Sequence, residues 1–115
     1  MKQLILAVFM TTLGAVAAYA HYAAIAAGPK GSSYVEGYNS MEAARDAAVA
    51  KCRQTWGTSC SASTAEDSTW LFAAGLCDNE PYTAASQGTQ ADVREELRRK
   101  CEADNRLVYR VFAIH

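Results

Sequence analysis

Residues 22–52 and 71–101 repeat one pattern at an offset of 49 positions, with no gap between the two copies. Each copy opens on an apolar run, passes through small and polar residues, and closes in a helical segment ending in Lys-Cys. Ala24 aligns with Ala73, Arg45 with Arg94, and Lys51-Cys52 with Lys100-Cys101. In the helical segments Ala44, Ala48 and Cys52 fall on Val93, Leu97 and Cys101. A duplication of this size limits the fold severely. Two units that each carry an apolar face are expected to share a core. It says little about chemistry.

The start of the chain reads as an export signal. Lys2 supplies the positive charge, Leu4 to Met10 an apolar run, and Ala18-Tyr19-Ala20 a small-x-small cleavage site. A membrane-spanning helix is the competing assignment. Leu4 to Ala20 is only 17 residues, contains Thr11, Thr12 and Gly14, and is followed by no Lys/Arg stop signal. The expected organisation is a secretory signal peptide at 1–20 and a single domain at 21–115, secreted or periplasmic. No stable membrane insertion is expected after processing.

Of 11 basic side chains, removal of Lys2 leaves 10 against 12 acidic ones, a net charge of −2 for the processed chain. That is no footprint for nucleic acid or for an anionic membrane. Four cysteines remain: Cys52, Cys60, Cys77 and Cys101. In an oxidising compartment an even count in a small domain reads as two disulfides, each contributing about 2–4 kcal/mol. Zinc ligation wants close cysteine pairs, and the shortest spacing here is eight. Of the three possible pairings, Cys52–Cys60 and Cys77–Cys101 is preferred. The first would pin a helix end to the next strand, and the second would tie the strand after Trp70 to the helix above it.

The element pattern follows from turns and periods. Tyr22–Ala27 and Ser33–Tyr38 flank the turn signal Gly28-Pro29-Lys30-Gly31-Ser32 and read as a hairpin. Asn39, with Glu42 three residues on, reads as a capping box opening a helix with Met41, Ala44, Ala48 and Cys52 on one stripe. Gly57 ends it. Cys60–Thr64 is expected to be extended, and Glu66-Asp67-Ser68 to turn. Thr69–Ala74 starts a strand, Tyr82–Gln87 returns, and Thr89 caps a second helix with Val93, Leu97 and Cys101 buried. Arg106–Ile114 is the last strand. The prediction is an α+β fold of two β-β-α-β pseudo-repeats, forming an antiparallel or mixed sheet with two helices packed on it, stapled by disulfides.

The residues Ala24-Ile25-Ala26, the glycine turn, Ala50-Lys51-Cys52, Cys60, Ala73-Ala74-Gly75-Leu76-Cys77 and the helix ending in Cys101 together resemble the DUF4189 family of exported bacterial domains. The resemblance covers nearly all of Tyr22 to Ile114. It implies an exported location and a fold; the family brings no assigned activity, cofactor or active-site residues.

Nucleophilic catalysis needs a nucleophile, a base and an orienting group within reach of one another. The only histidines are His21 and His115, at the two ends of the processed chain, and the cysteines are expected to be bonded. The expected function is therefore a non-enzymatic binding or accessory domain, an inhibitor or envelope-associated protein, with no cofactor and with another envelope or secreted protein as partner. Tyr34, Tyr38 and Tyr82, with Arg94 and Arg98, are the candidate binding surface, because aromatics and arginine are enriched at interfaces. The alternatives are a small secreted hydrolase using Glu66, Asp67, Asp78 or Glu80, and copper binding through the amine and imidazole of His21, with His115 adding a nitrogen.

Overall fold

Two strands buried on both faces organise the molecule. The computed structural model describes residues 21–57 and 59–115; the export-signal assignment at 1–20 lies outside them. In chain order the elements are β1 (Tyr22–Gly28), β2 (Gly31–Tyr38), α1 (Met41–Trp56), β3 (Ala65–Asp67), β4 (Leu71–Cys77), β5 (Glu80–Ser86), α2 (Gln90–Ala103) and β6 (Tyr109–Ile114). The strands form two antiparallel three-stranded sheets, ordered β2-β1-β3 and β5-β4-β6. Each repeat thus completes its own sheet around its first strand, where the sequence pattern had placed the strands in one shared sheet. The α+β class, the antiparallel pairing, the two packed helices and the two disulfides are as expected.

Alternation along β1 and β4 sets the layers. Ala24 and Ala26 pack with Ala44, Ala48 and Cys52 of α1. Ala23, Ile25 and Ala27 point the other way, onto Phe72 and Ala74 of β4. Ala73 of β4, with Ala84 of β5, meets Val93 and Leu97 of α2. The order is helix, sheet, sheet, helix. Central strands in such a stack read as unbroken apolar runs rather than alternating ones. Alanine at most of these positions lets the layers lie close. Gly75 marks a close approach between layers, since a Cβ there would sit 2.1 Å from the Arg110 carbonyl oxygen and 3.0 Å from Leu97 Cδ2.

The duplication extends to the register. Ala27 bridges Ser61 and Ala24 pairs with Ala65 in the first sheet. Adding 49 gives Leu76–Arg110 and Ala73–Ile114, both pairs of the second sheet. A one-residue shift intervenes in each. The helix-end lysines also correspond: Lys51 Nζ donates to the Tyr34 carbonyl at 3.2 Å, and Lys100 Nζ to the Thr83 carbonyl at 2.8 Å.

Local chemistry explains the ends of the elements. Asp78 (φ 52°) and Asn79 (φ 70°) form the two-residue turn of the second hairpin, as a type I′ connection requires. The α1 cap is Ser40 and not Asn39: its Oγ accepts from the Ala43 amide at 3.1 Å, so the residue three positions on is alanine and no reciprocal capping box forms. Thr89 caps α2 as expected, with Asp92 returning the bond to the Thr89 amide at 2.8 Å. Gly57 closes α1 in the left-handed region, its amide reaching the Arg53 carbonyl at 2.8 Å. The segment after Cys60 runs along β1, but its strand proper is Ala65–Asp67, and the turn falls after Asp67. Asp67 itself accepts from the Thr69 amide at 2.9 Å, which fixes that turn.

The bridges are Cys52–Cys60 and Cys77–Cys101, with Cα separations of 6.2 and 5.7 Å, within the range disulfide geometry allows.

Candidate functional site

The three tyrosines of the candidate surface occupy three different layers. Tyr34 lies against the core between the sheets, its ring stacked on His115 at 4.9 Å and edge-on to Phe72 at 5.5 Å. Burial, and then the neighbouring Glu36 carboxylate, push its hydroxyl above the usual tyrosine range. Tyr38 packs on the α1 side. The switch between them is made by Gly37 (φ 84°), where the β1–β2 register shifts between Tyr22 and Ala24. Tyr82 packs on the α2 side, under the Arg106 guanidinium at 5.3 Å. Trp56 covers Gly31 on the α1 side, and Trp70 joins the core between the sheets. The structure does not bring the tyrosines together as one patch.

On α2, Arg94 is exposed. Arg98 is held by Glu95 and Glu102 of its own helix, with Nε 2.9 Å from Glu95 Oε2. Those contacts raise the Arg98 pKa and lower that of Glu95. Arg99 adds Glu96 at 3.4 Å. Arg98 and Arg99 are thus held in intrahelical ion pairs, with Arg98 already neutralised from within.

The two histidines have different surroundings. His21 stacks on Tyr22 at 5.0 Å, and its carbonyl accepts from the Ser68 amide. His115 extends β6 and exchanges both backbone hydrogen bonds with Phe72, at 2.8 and 2.9 Å. Burial, and then the Lys51 charge, hold its imidazole below the usual histidine range. Among the described residues no group of three or more His, Cys, Asp or Glu side chains is arranged to hold a metal ion. The carboxylates named for hydrolysis fall in both sheets. Glu66 and Asp67 lie on β3, and Asp67, hydrogen-bonded by Thr69, is held below the usual carboxylate range. Asp78 and Glu80 lie at the β4–β5 turn, where Glu80 pairs with Arg106 at 2.7 Å. Arg106 also donates to the Cys77 carbonyl at 2.8 Å.

An open cleft of about 480 Å³ lies in the first repeat between α1 and the segment leaving Cys60. Arg45, Asp46, Val49 and Arg53 line it from the helix, and Cys60 and Ala62 from the opposite wall. Its volume lies in the range of ligand sites. The cleft exists because of side-chain size. Val49, Cys60 and Ala62 correspond to Arg98, Tyr109 and Val111 in the second repeat. There Arg98 lies across the helix face between Glu95 and Glu102, within electrostatic reach of Tyr109. In the first repeat Asp46 and Arg53 stand at the positions of Glu95 and Glu102, and no arginine rises between them.

Arg45 lines this cleft, and its Nε is buried with no hydrogen-bond partner among the described residues. Desolvating a charged donor without an acceptor is costly. Arg45 and Arg53 are one residue pair that the sequence reading passed over. The signal was present in the alignment of the copies: positions 46, 49 and 53 break the acid–arginine–acid order of 95, 98 and 102.

Comparison of the chain with family models, curated proteins and solved structures finds no match. Among the described residues no helix is long and apolar enough to cross a membrane.

Proposed function

We propose that this chain is a non-enzymatic, exported binding or accessory domain of the DUF4189 type, with the α1 cleft as its working surface. One observation carries the reading: a side-chain cleft lined by two arginines, one of them with a buried and unpartnered Nε. Two disulfides and a core buried layer on layer give the cleft rigid walls, since Cys60 is bonded to Cys52 at the end of the same helix. A rigid, preorganised surface binds without the cost of ordering it. The partner under this reading is another envelope or secreted protein, and an inhibitory role is one form the binding would take.

The test is cross-linking from inside the cleft. A photoreactive residue at Ala62, which is exposed on its wall, should yield one dominant adduct in the native compartment. The same residue at Arg94, on the other helix, should not. Absence of an adduct from position 62, or equal labelling from both positions, overturns the assignment.

A further inference from the structure

We infer that the α1 cleft receives an acidic side chain, Asp or Glu, presented by a peptide segment of a partner protein. The inference rests on the binding reading above and names the chemistry that the site selects. Charge complementarity supports it. Two guanidinium groups line the cleft against one carboxylate, Asp46, although the chain as a whole carries a net charge of −1. The local excess of positive charge is therefore a property of this cleft rather than of the general surface.

The second repeat shows what such a groove holds when it is satisfied internally. There one guanidinium, Arg98, sits between two carboxylates, Glu95 and Glu102. The first repeat has arginine at the position of Glu102, keeps arginine at the position of Arg94, and has valine where Arg98 stands. Asp46 is kept at the position of Glu95, so the balance shifts by one charge: two guanidinium groups and one carboxylate line a place that no side chain at position 49 fills. A carboxylate entering there would meet the guanidinium groups of Arg45 and Arg53, and the Arg45 Nε has no hydrogen-bond partner among the described residues. A hydrogen bond between two charged groups is about twice as strong as a neutral one. The apolar part of the lining, Val49, Ala62 and the Cys52–Cys60 bridge, suits the side chains that flank an acidic residue in a peptide. A lone small anion would leave most of the roughly 480 Å³ unused.

The experiment titrates purified oxidised protein with acetyl-Leu-Glu-Leu-amide and with its Leu-Gln-Leu counterpart, followed by ¹⁵N NMR that includes the arginine Nε–H signals. The Glu peptide should shift Arg45 Nε–H and the amides of Val49 and Ala62. The Gln peptide should bind about ten-fold more weakly, a difference equivalent to about 1.4 kcal/mol. Transplanting the order of the second helix, with Val49→Arg and Arg53→Glu together, should abolish the response. The milder Arg45→Gln should reduce it about ten-fold, and a thermal melt checks that each variant is folded. Equal binding of both peptides at the cleft overturns the carboxylate inference while leaving a binding domain. Shifts confined to residues outside the cleft, or no shift with either peptide, also overturn it, and the cross-link from position 62 then decides separately whether the cleft binds a protein at all.

Discussion

Cys77 and Tyr109 face each other as Cα partners across the β4–β6 ladder, and their counterparts 49 residues earlier are Gly28 and Cys60. The helix-end cysteine, Cys52 or Cys101, therefore approaches the same cross-strand position in both repeats but bonds to a different strand. In the first repeat the bond goes to the outer segment, and in the second to the central strand. The bridges are alternative solutions to one problem, the anchoring of a helix C-terminus to a sheet.

Their energetic weights should differ through loop length. The closed loops span 8 and 24 residues. Chain-entropy arguments give about 2.5 kcal/mol for the shorter and about 3.4 kcal/mol for the longer. Paired Cys→Ala replacements should follow that order in denaturant titrations, with loss of Cys77–Cys101 worse by about 1 kcal/mol. The swapped geometry makes a second expectation. Gly28→Cys combined with Cys60→Ala should form a new bridge to Cys52, visible by mass spectrometry without reductant; a free thiol pair would refute the equivalence of the two positions.

Two glycines separate crowding from backbone strain. Gly75→Ala drives a methyl against the Arg110 carbonyl, so β6 must move away. Overpacking of this kind costs typically 1–3 kcal/mol, and here the cost should lie at about the upper end because the obstacle is backbone. Gly37→Ala meets nothing within 4 Å but holds φ at 84°, so its cost should be about 1–2 kcal/mol. Urea midpoints of the two variants measure the difference.

The paired lysines offer a third comparison. Lys100 Nζ reaches the Thr83 carbonyl at 2.8 Å in a half-buried setting, whereas Lys51 meets the Tyr34 carbonyl at 3.2 Å in an exposed one. A hydrogen bond from a charged donor is worth about 1.5–3 kcal/mol when shielded and less in water. Lys100→Met should thus destabilise by about 1 kcal/mol or more, and Lys51→Met by less. Equal melting losses would show that shielding does not separate the two bonds.

Much of this arrangement was legible in the sequence because its signals are local. The stripe Val93, Leu97, Cys101, the Thr89 cap and the glycine stop at Gly57 all act within a turn or two of chain. The division into two sheets was not legible. An unbroken run such as Ala23 to Ala27 says only that both faces are buried, and either a helix or a second sheet can cover a face. The Ser40 cap was missed since Asn39 and Ser40 are both good caps, and only the geometry of the first turn chooses between them. The tyrosines separated because one positive-φ residue, Gly37, reverses the facing of the strand after Val35. The cleft was missed for a different reason: it is defined by small side chains at Val49 and Ala62, whose meaning emerges only beside Arg98 and Val111.

The stack of His115 on Tyr34 makes stability depend on pH in a window that can be assigned. Burial, and secondarily Lys51, hold the folded-state imidazole below its ordinary value. An unfolded chain keeps the ordinary value, near 6.5. As pH falls through that value the unfolded state takes up a proton first. It then binds more protons than the folded state, so folding stability decreases with falling pH until the folded imidazole is protonated as well. Above the ordinary value this contribution is fully present. His115→Phe keeps an aromatic ring over Tyr34 without a titrating nitrogen, so its melting temperature should fall less than that of the wild type between pH 7.5 and pH 5. Lys51→Met removes the second cause and should move the His115 ring-proton titration upward. Parallel pH profiles for wild type and His115→Phe would show that the stacked imidazole titrates as it does in the unfolded chain.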